Sequence, residues 1–219
     1  MMNFGGKPLI VIEHLEGHLS HWIVLEYKHV KSMVGDRLVI TNARLGGGCK
    51  RFKNAIGDVK CYNEPLSMLK GELYSREDEI LILDPKAEKL LEPSETAMYK
   101  IVVVGGILGD HPPRGRTSQF LSSRFPRASK RSLGPHQLSI DGAVYVYLQV
   151  ERGINPLDVP LVVKPKIKFT IMDFEYEIEL PFAYPKVDNK PLFAPGLLEL
   201  LKTGLAYEEH KLMQKLDST

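Results

Sequence analysis

Short apolar runs alternate along most of the chain with stretches whose apolar positions recur every three or four residues. Leu9–Leu15 (LIVIEHL), Arg37–Thr41 (RLVIT), Glu79–Asp84 (EILILD) and Ile101–Val104 are too short for helices and rich in Ile, Leu and Val, so they read as buried strands. Between the first two, Ile23, Tyr27, Val30 and Val34 fall at helical spacing, with Ser20 as N-cap and Gly35 as stop. Glu64–Leu73 reads as a short helix and Pro93–Met98 as a helical turn capped by Ser94. Thr117–Phe125 reads as a helix closed by Pro126, and Arg131–Leu133 as a short strand. Ser139–Val150 reads as a helix, with Ser139 and Asp141 suiting its first turn and Gly153 ending it. This alternation, up to about Gly153, predicts an α/β fold with a mainly parallel sheet.

The pattern changes after Pro156. Lys164, Lys166 and Lys168 alternate with apolar residues, and so do Asp173, Glu175, Glu177 and Glu179. Period two in both predicts the strands of a hairpin with facing charges. Phe193–Leu205 reads as an amphipathic helix and 206–219 as a polar tail. Residues 1–219 are read as one domain, with 156–205 as a hairpin and helix elaboration. Leu45–Asp58 has no clear period; three glycines beside Lys50, Arg51 and Lys53 read as a flexible surface loop rather than an anion cradle.

Composition narrows the class only slightly. Of 219 residues, 43% are apolar and 26% charged, ordinary for a globular protein, and a net charge of +2 names no partner. No apolar run approaches a membrane span and no leader-like segment opens the chain, so a cytoplasmic location is expected. Cys49 and Cys61 have no metal-ligand spacing and imply no disulfide framework, and the His and acidic residues show no HExxH; no metal is expected.

Chemistry concentrates in Lys100–Thr117, KIVVVGGILGDHPPRGRT. The buried strand ends on Gly105 and Gly106, Gly109 follows, and Asp110 and His111 bring ionisable groups to the turn. Strand ends of this kind are where open α/β sheets bind ligands. Neither GxxxxGK[ST] nor GxGxxG is present, which excludes the common phosphate and dinucleotide loops.

Five segments in one order carry a family resemblance: VIEHLEGHLSHWIVLEY (11–27), LILDPKAEKLL (81–91), VVVGGILGDHPPRGRT (102–117), LGPHQLSIDGAVYV (133–146) and LPFAYPKVDNKPLFAPGLLELL (180–201). In these the chain resembles a SPOUT-class methyltransferase, and within that class the family first described as predicted RNA methyltransferases. That family includes a fungal enzyme that methylates arginine in a small-subunit ribosomal protein. The segment 46–60 matches nothing in it.

The resemblance implies an α/β knot, with the C-terminal half of the sheet threaded as a trefoil, and S-adenosylmethionine bent among three loops, leaving as S-adenosylhomocysteine. Carried onto this sequence, the first loop holds Leu83, Asp84 and Pro85. The second holds Gly105, Gly106, Ile107, Leu108 and Gly109, and the third Leu133, Gly134, Gln137, Leu138, Ser139 and Ile140. Their small and aliphatic makeup suits an adenine held by backbone groups. For a guanidinium acceptor, Glu13 and Asp110 are the candidate carboxylates, being able to orient its fork and offset its charge, and His14 and His111 are the candidate proton acceptors. A monomer is implied, since the family's fungal member is one and this chain has a comparable C-terminal extension.

The substrate points two ways. From His111 to Ile140 there is no acid, while Arg114, Arg116, Arg124, Arg127, Lys130 and Arg131 occur, with Arg114 and Arg116 nearest the glycine turn. Such a stretch could track an RNA backbone. The acidic strand Asp173–Glu179 would attract a basic peptide instead. The resemblance favours protein arginine; an RNA methyltransferase is the alternative, and a knotted RNA- or ribosome-binding domain without catalysis the second.

Overall fold

Strands buried on both faces pair best with neighbours running the same way, because crossover helices then cover both sides. The computed structural model, which describes residues 6–108, 115–171 and 174–204, has such a sheet. In chain order the elements are β1 Leu9–His14, α1 His21–Val34, β2 Leu38–Thr41, α2 Gly48–Ile56 and β3 Lys60–Cys61, then β4 Ile80–Leu83, β5 Ile101–Gly106, α3 Arg116–Phe120, β6 Ser129–Arg131 and α4 Ile140–Glu151. The strand order is β3-β2-β1-β5-β4-β6, and each pairing is parallel.

Alternation along each strand divides the core in two. Ile10, Ile12, Ile40, Leu81, Val102 and Val104 face α1, α2 and α4, meeting Ile23, Tyr27, Phe52, Val144 and Tyr147. Val11, Val39, Ile80, Ile82, Ile101 and Val103 face the other way, onto Leu66, Leu69, Tyr74, Leu121 and Phe125. Ser20 caps α1 by accepting from Ile23 N–H at 3.2 Å, and Ser139 caps α4 by accepting from Gly142 N–H at 3.2 Å.

Beyond α4 come β7 Leu161–Val163, β8 Lys166–Ile171, β9 Phe174–Glu179, β10 Ala183–Val187 and β11 Lys190–Pro191. β8 and β9 form an antiparallel pair, with Lys166 opposite Glu179 and Lys168 opposite Glu177. Asp173 lies outside the described residues. β11, β10 and β7 make a separate three-stranded sheet that the sequence pattern did not reveal. The last described segment is helical over 197–204, starting later than the expected Phe193 because Pro195 and Gly196 form a turn there.

Five expectations are corrected. The segment read as a flexible loop holds α2, anchored by buried Phe52 and Ile56 one turn apart, and β3, paired with β2. That arrangement brings the Cα atoms of Cys49 and Cys61 to 5.6 Å, and the two residues are joined by a disulfide, contrary to the reading of their spacing. Glu64–Leu73 has one 3-10 turn, Leu66–Met68, after which the chain turns back at Gly71, whose N–H donates to Tyr74 O at 2.7 Å. The helix expected over Thr117–Phe125 breaks into α3 and a 3-10 turn at Ser122–Arg124, and the following strand lies at Ser129–Arg131, two residues early.

The glycine pair at the end of β5 has two different reasons. A Cβ on Gly106 would sit 2.1 Å from Tyr27 Oη and 3.0 Å from Glu13 O, so this glycine lets α1 close onto the sheet. A Cβ on Gly105 would meet nothing nearer than 3.4 Å. Gly106→Ala should therefore destabilise the fold by about 1–3 kcal/mol in urea denaturation, while Gly105→Ala costs less.

Candidate functional site

The C-terminal ends of β4 and β5 open into a cavity of about 230 Å³. Leu83, Asp84 and Pro85 line it from β4, Gly105 and Ile107 from β5, and Leu133, Gly134, Gln137, Leu138, Ser139 and Ile140 from the segment entering α4. Three bends far apart in sequence thus meet at one place. Of the expected loop residues, Gly106 and Leu108 do not line it: Gly106 packs on Tyr27, and Leu108 packs into the core beside the sheet. Gly109 lies outside the described residues, as do Asp110, His111 and Arg114. Lys86, Gly115, Thr117, Pro135, His136 and Ala143 also line the cavity and went unread. Only their nearness to the loops could have signalled them.

Leu83, Val104, Ile107, Leu133, Leu138, Ile140 and Ala143 make an aliphatic part of the cavity wall, with Lys86, Arg116, His136 and Gln137 as polar neighbours. Asp84 contributes little free charge. Its Oδ2 accepts from Ser118 Oγ at 2.7 Å and Ser122 Oγ at 2.6 Å, and its Oδ1 accepts from Lys86 N–H at 2.9 Å. The carboxylate fixes the β4 bend to the α3 region. The aliphatic part of the wall, edged by backbone, offers an apolar slot of the kind that suits an adenine ring.

Arg116 stands at the rim. It donates to Leu108 O and lies 3.1 Å from Glu16 Oε1, which also accepts from Leu108 N–H at 3.0 Å. Other cations of the acid-free stretch are engaged as well. Arg131 Nε donates to both Glu95 oxygens at 2.9 and 3.0 Å, and Arg124 lies 4.0 Å from Glu13 Oε1. Arg116 and Arg131 therefore already have acidic partners within the protein.

Glu13 and His14 are neighbours on opposite faces of the sheet. Glu13 Oε2 accepts from Thr41 Oγ1 at 2.5 Å and Leu66 N–H at 3.0 Å, and burial raises its pKa despite those donors. His14 lies with Nδ1 2.9 Å from Tyr27 Oη and its ring edge-on to Phe52. Burial first, then His18, lowers its pKa to about 4, which makes it a weak proton acceptor. Neither lines the cavity. His14, Glu16, Asn42, Arg44, Phe120 and Arg124 border a second, open cleft of about 310 Å³ beside it, across the Glu16–Arg116 link.

Behind the third bend sits a buried carboxyl pair. Glu26 Oε2 accepts from Ile140 N–H at 2.9 Å and its Oε1 from Trp22 Nε1 at 2.6 Å. Asp141 Oδ2 lies 2.7 Å from His29 Nδ1, and its Oδ1 accepts from Gly142 N–H at 2.9 Å. Burial, then the Asp141 charge, pushes Glu26 up to about 8. Among the described residues no cluster could hold a metal ion and no helix is long and apolar enough to cross a membrane.

The sequence profile of the family described as protein arginine N-methyltransferase SFM1-like matches residues 9–208. The chain is 29% identical over 208 residues to the protein arginine N-methyltransferase SFM1 of Saccharomyces cerevisiae, covering 90% of this chain and 95% of that one. It superposes on the crystal structure of the yeast enzyme complexed with SAH with a TM-score of 0.79 and 27% identity, over 89% of this chain and 94% of that one. For the SAM complex the TM-score is 0.79 at 25% identity, over 90% and 91%. A Trm10 structure from Thermococcus kodakaraensis, 17% identical with a TM-score of 0.52 over 68% and 95%, shares the fold alone.

The Glu26 carboxyl gives a signed pH dependence. Its folded pKa is raised, so the folded chain holds a proton that the unfolded chain releases, and stability falls as pH rises from about 5 towards 8. In Glu26→Gln that contribution is gone. Between about pH 5.5 and about pH 8.5 the variant should gain stability relative to the parent, as read by urea denaturation.

Proposed function

The chain belongs to the SFM1-like protein arginine N-methyltransferases, and from that membership we propose that it transfers methyl from S-adenosylmethionine to an arginine of a ribosomal or RNA-associated protein. One observation carries the reading: the three bends expected to hold the methyl donor line a single apolar cavity at the strand ends. When bound there, the cofactor supplies an electrophilic methyl on a sulfonium.

The protein's own residues then have two tasks. Leu83, Gly105, Gln137, Leu138 and Ile140, which line the cavity, would hold the donor and exclude water around it. The acceptor nitrogen must be fixed in line with the bond being broken, which is a matter of position more than acid–base chemistry. We assign the acceptor to the neighbouring cleft, where Arg124 already brings a guanidinium within 4.0 Å of the Glu13 carboxylate. In this reading Asp110 offsets the acceptor's charge, Glu13 holds Arg124 at the cleft's edge, His111 or water takes the released proton, and His14 positions Tyr27 rather than accepting it.

We also read the C-terminal half as threaded through the loop between β4 and β5, as in SPOUT proteins. In support, Ser132 bonds Lys89 O and Leu91 N–H within that loop, and α4 packs on both β5 and the Pro93–Met98 turn. The C-terminal sheet lying on α4 supports a monomer.

Titration calorimetry with S-adenosylhomocysteine should show binding. Incubation of the protein with labelled donor and ribosomal fractions, followed by mass mapping, should place label on arginine; label confined to RNA would reject the acceptor assignment. Asp110→Asn should cut transfer by about a hundredfold while leaving S-adenosylhomocysteine affinity near the parent value.

A further inference from the structure

The Gln137–Ile140 wall of the cavity is held from outside by elements that the transfer chemistry does not touch. β10 runs along it: Ala183 N–H donates to Gln137 O at 2.8 Å, and Leu138 and Ala183 form a parallel bridge. From α1, Glu26 takes the Ile140 N–H at 2.9 Å, and this backbone group belongs to a cavity-lining residue. No slack is left behind the wall. A Cβ on Gly142 would fall 2.7 Å from Ser139 Oγ and 3.2 Å from Pro185 Cδ of β10. Tyr184, on the same strand, is fully buried within electrostatic reach of both Glu26 and Asp141.

We propose that Glu26 is a positioning residue for cofactor binding, which together with β10 fixes the 137–140 wall from behind. The inference rests on the functional reading above, and it makes the C-terminal sheet a component of the donor site. The methyl donor's affinity is then set partly by a carboxyl that never touches it. An α4 N-terminus whose first amide lacked that acceptor would turn towards another, carrying Ser139 and Ile140 with it.

The test is S-adenosylhomocysteine binding by calorimetry on the full chain, well below each variant's melting temperature, so that loss of stability alone leaves the dissociation constant unchanged. Glu26→Leu should raise it about tenfold or more, and Glu26→Gln, which keeps one acceptor for Ile140, about two- to threefold. Gly142→Ala should raise it about threefold or more, although helix propensity alone favours alanine. Val34→Ala, at the far end of α1, should lower the melting temperature and leave affinity at the parent value. Parental affinity in both Glu26→Leu and Gly142→Ala would overturn the proposal. If the parent chain itself fails to bind S-adenosylhomocysteine, the functional reading falls, and this inference with it.

Discussion

No side chain fits on Gly106, and that exclusion sets how closely α1 lies on the sheet. The Tyr27 hydroxyl occupies the space a Cβ would take and also meets His14 Nδ1. With Tyr27 fixed, the preceding residue, Glu26, is carried to the N-terminus of α4, where its carboxyl meets the Ile140 amide. One close approach between helix and strand thus determines where the last wall of the cavity stands. A looser α1 would still bury its apolar stripe, but its carboxyl would not meet that amide.

The main sheet was legible because buried parallel strands announce themselves. Four β-branched or leucine-rich runs between helical patterns gave β1, β2, β4 and β5 nearly to the residue; Ser20 marked its helix by cap chemistry that depends only on neighbours, and Ser139, read in the first turn of α4, is its cap. β6 was harder. Ser129–Arg131 has no apolar run, since it is an edge strand recognised only by the partner it meets. α2 and the Cys49–Cys61 bond were missed for a related reason. Both depend on β3 being held beside β2, a contact between segments that no local pattern records.

The site divides the same way. The cavity loops could be located because backbone-lined pockets demand small or aliphatic residues, which sequence shows directly. The roles of charged groups could not, because a carboxylate's meaning lies in its partners. Asp84 lines the cavity as expected, but its bonds to two serines and an amide, which tie the β4 bend to α3, could not be read from the sequence. Nor does the sequence show that Arg116 and Arg131 are paired with Glu16 and Glu95. The buried pair Glu26 and Asp141 drew no notice as a pair, since their separation in sequence hides their meeting.

The opposed faces of Glu13 and His14 bear on how this strand end responds to change. One side chain reaches Thr41 and Leu66, the other Tyr27 and Phe52, with the sheet between them. A pleated backbone acts here as a partition, so two chemically active positions share a peptide bond without sharing partners. Alterations on one side reach the other through the strand and through longer-range charge, since Arg124, which pairs with Glu13, borders the cleft beside His14.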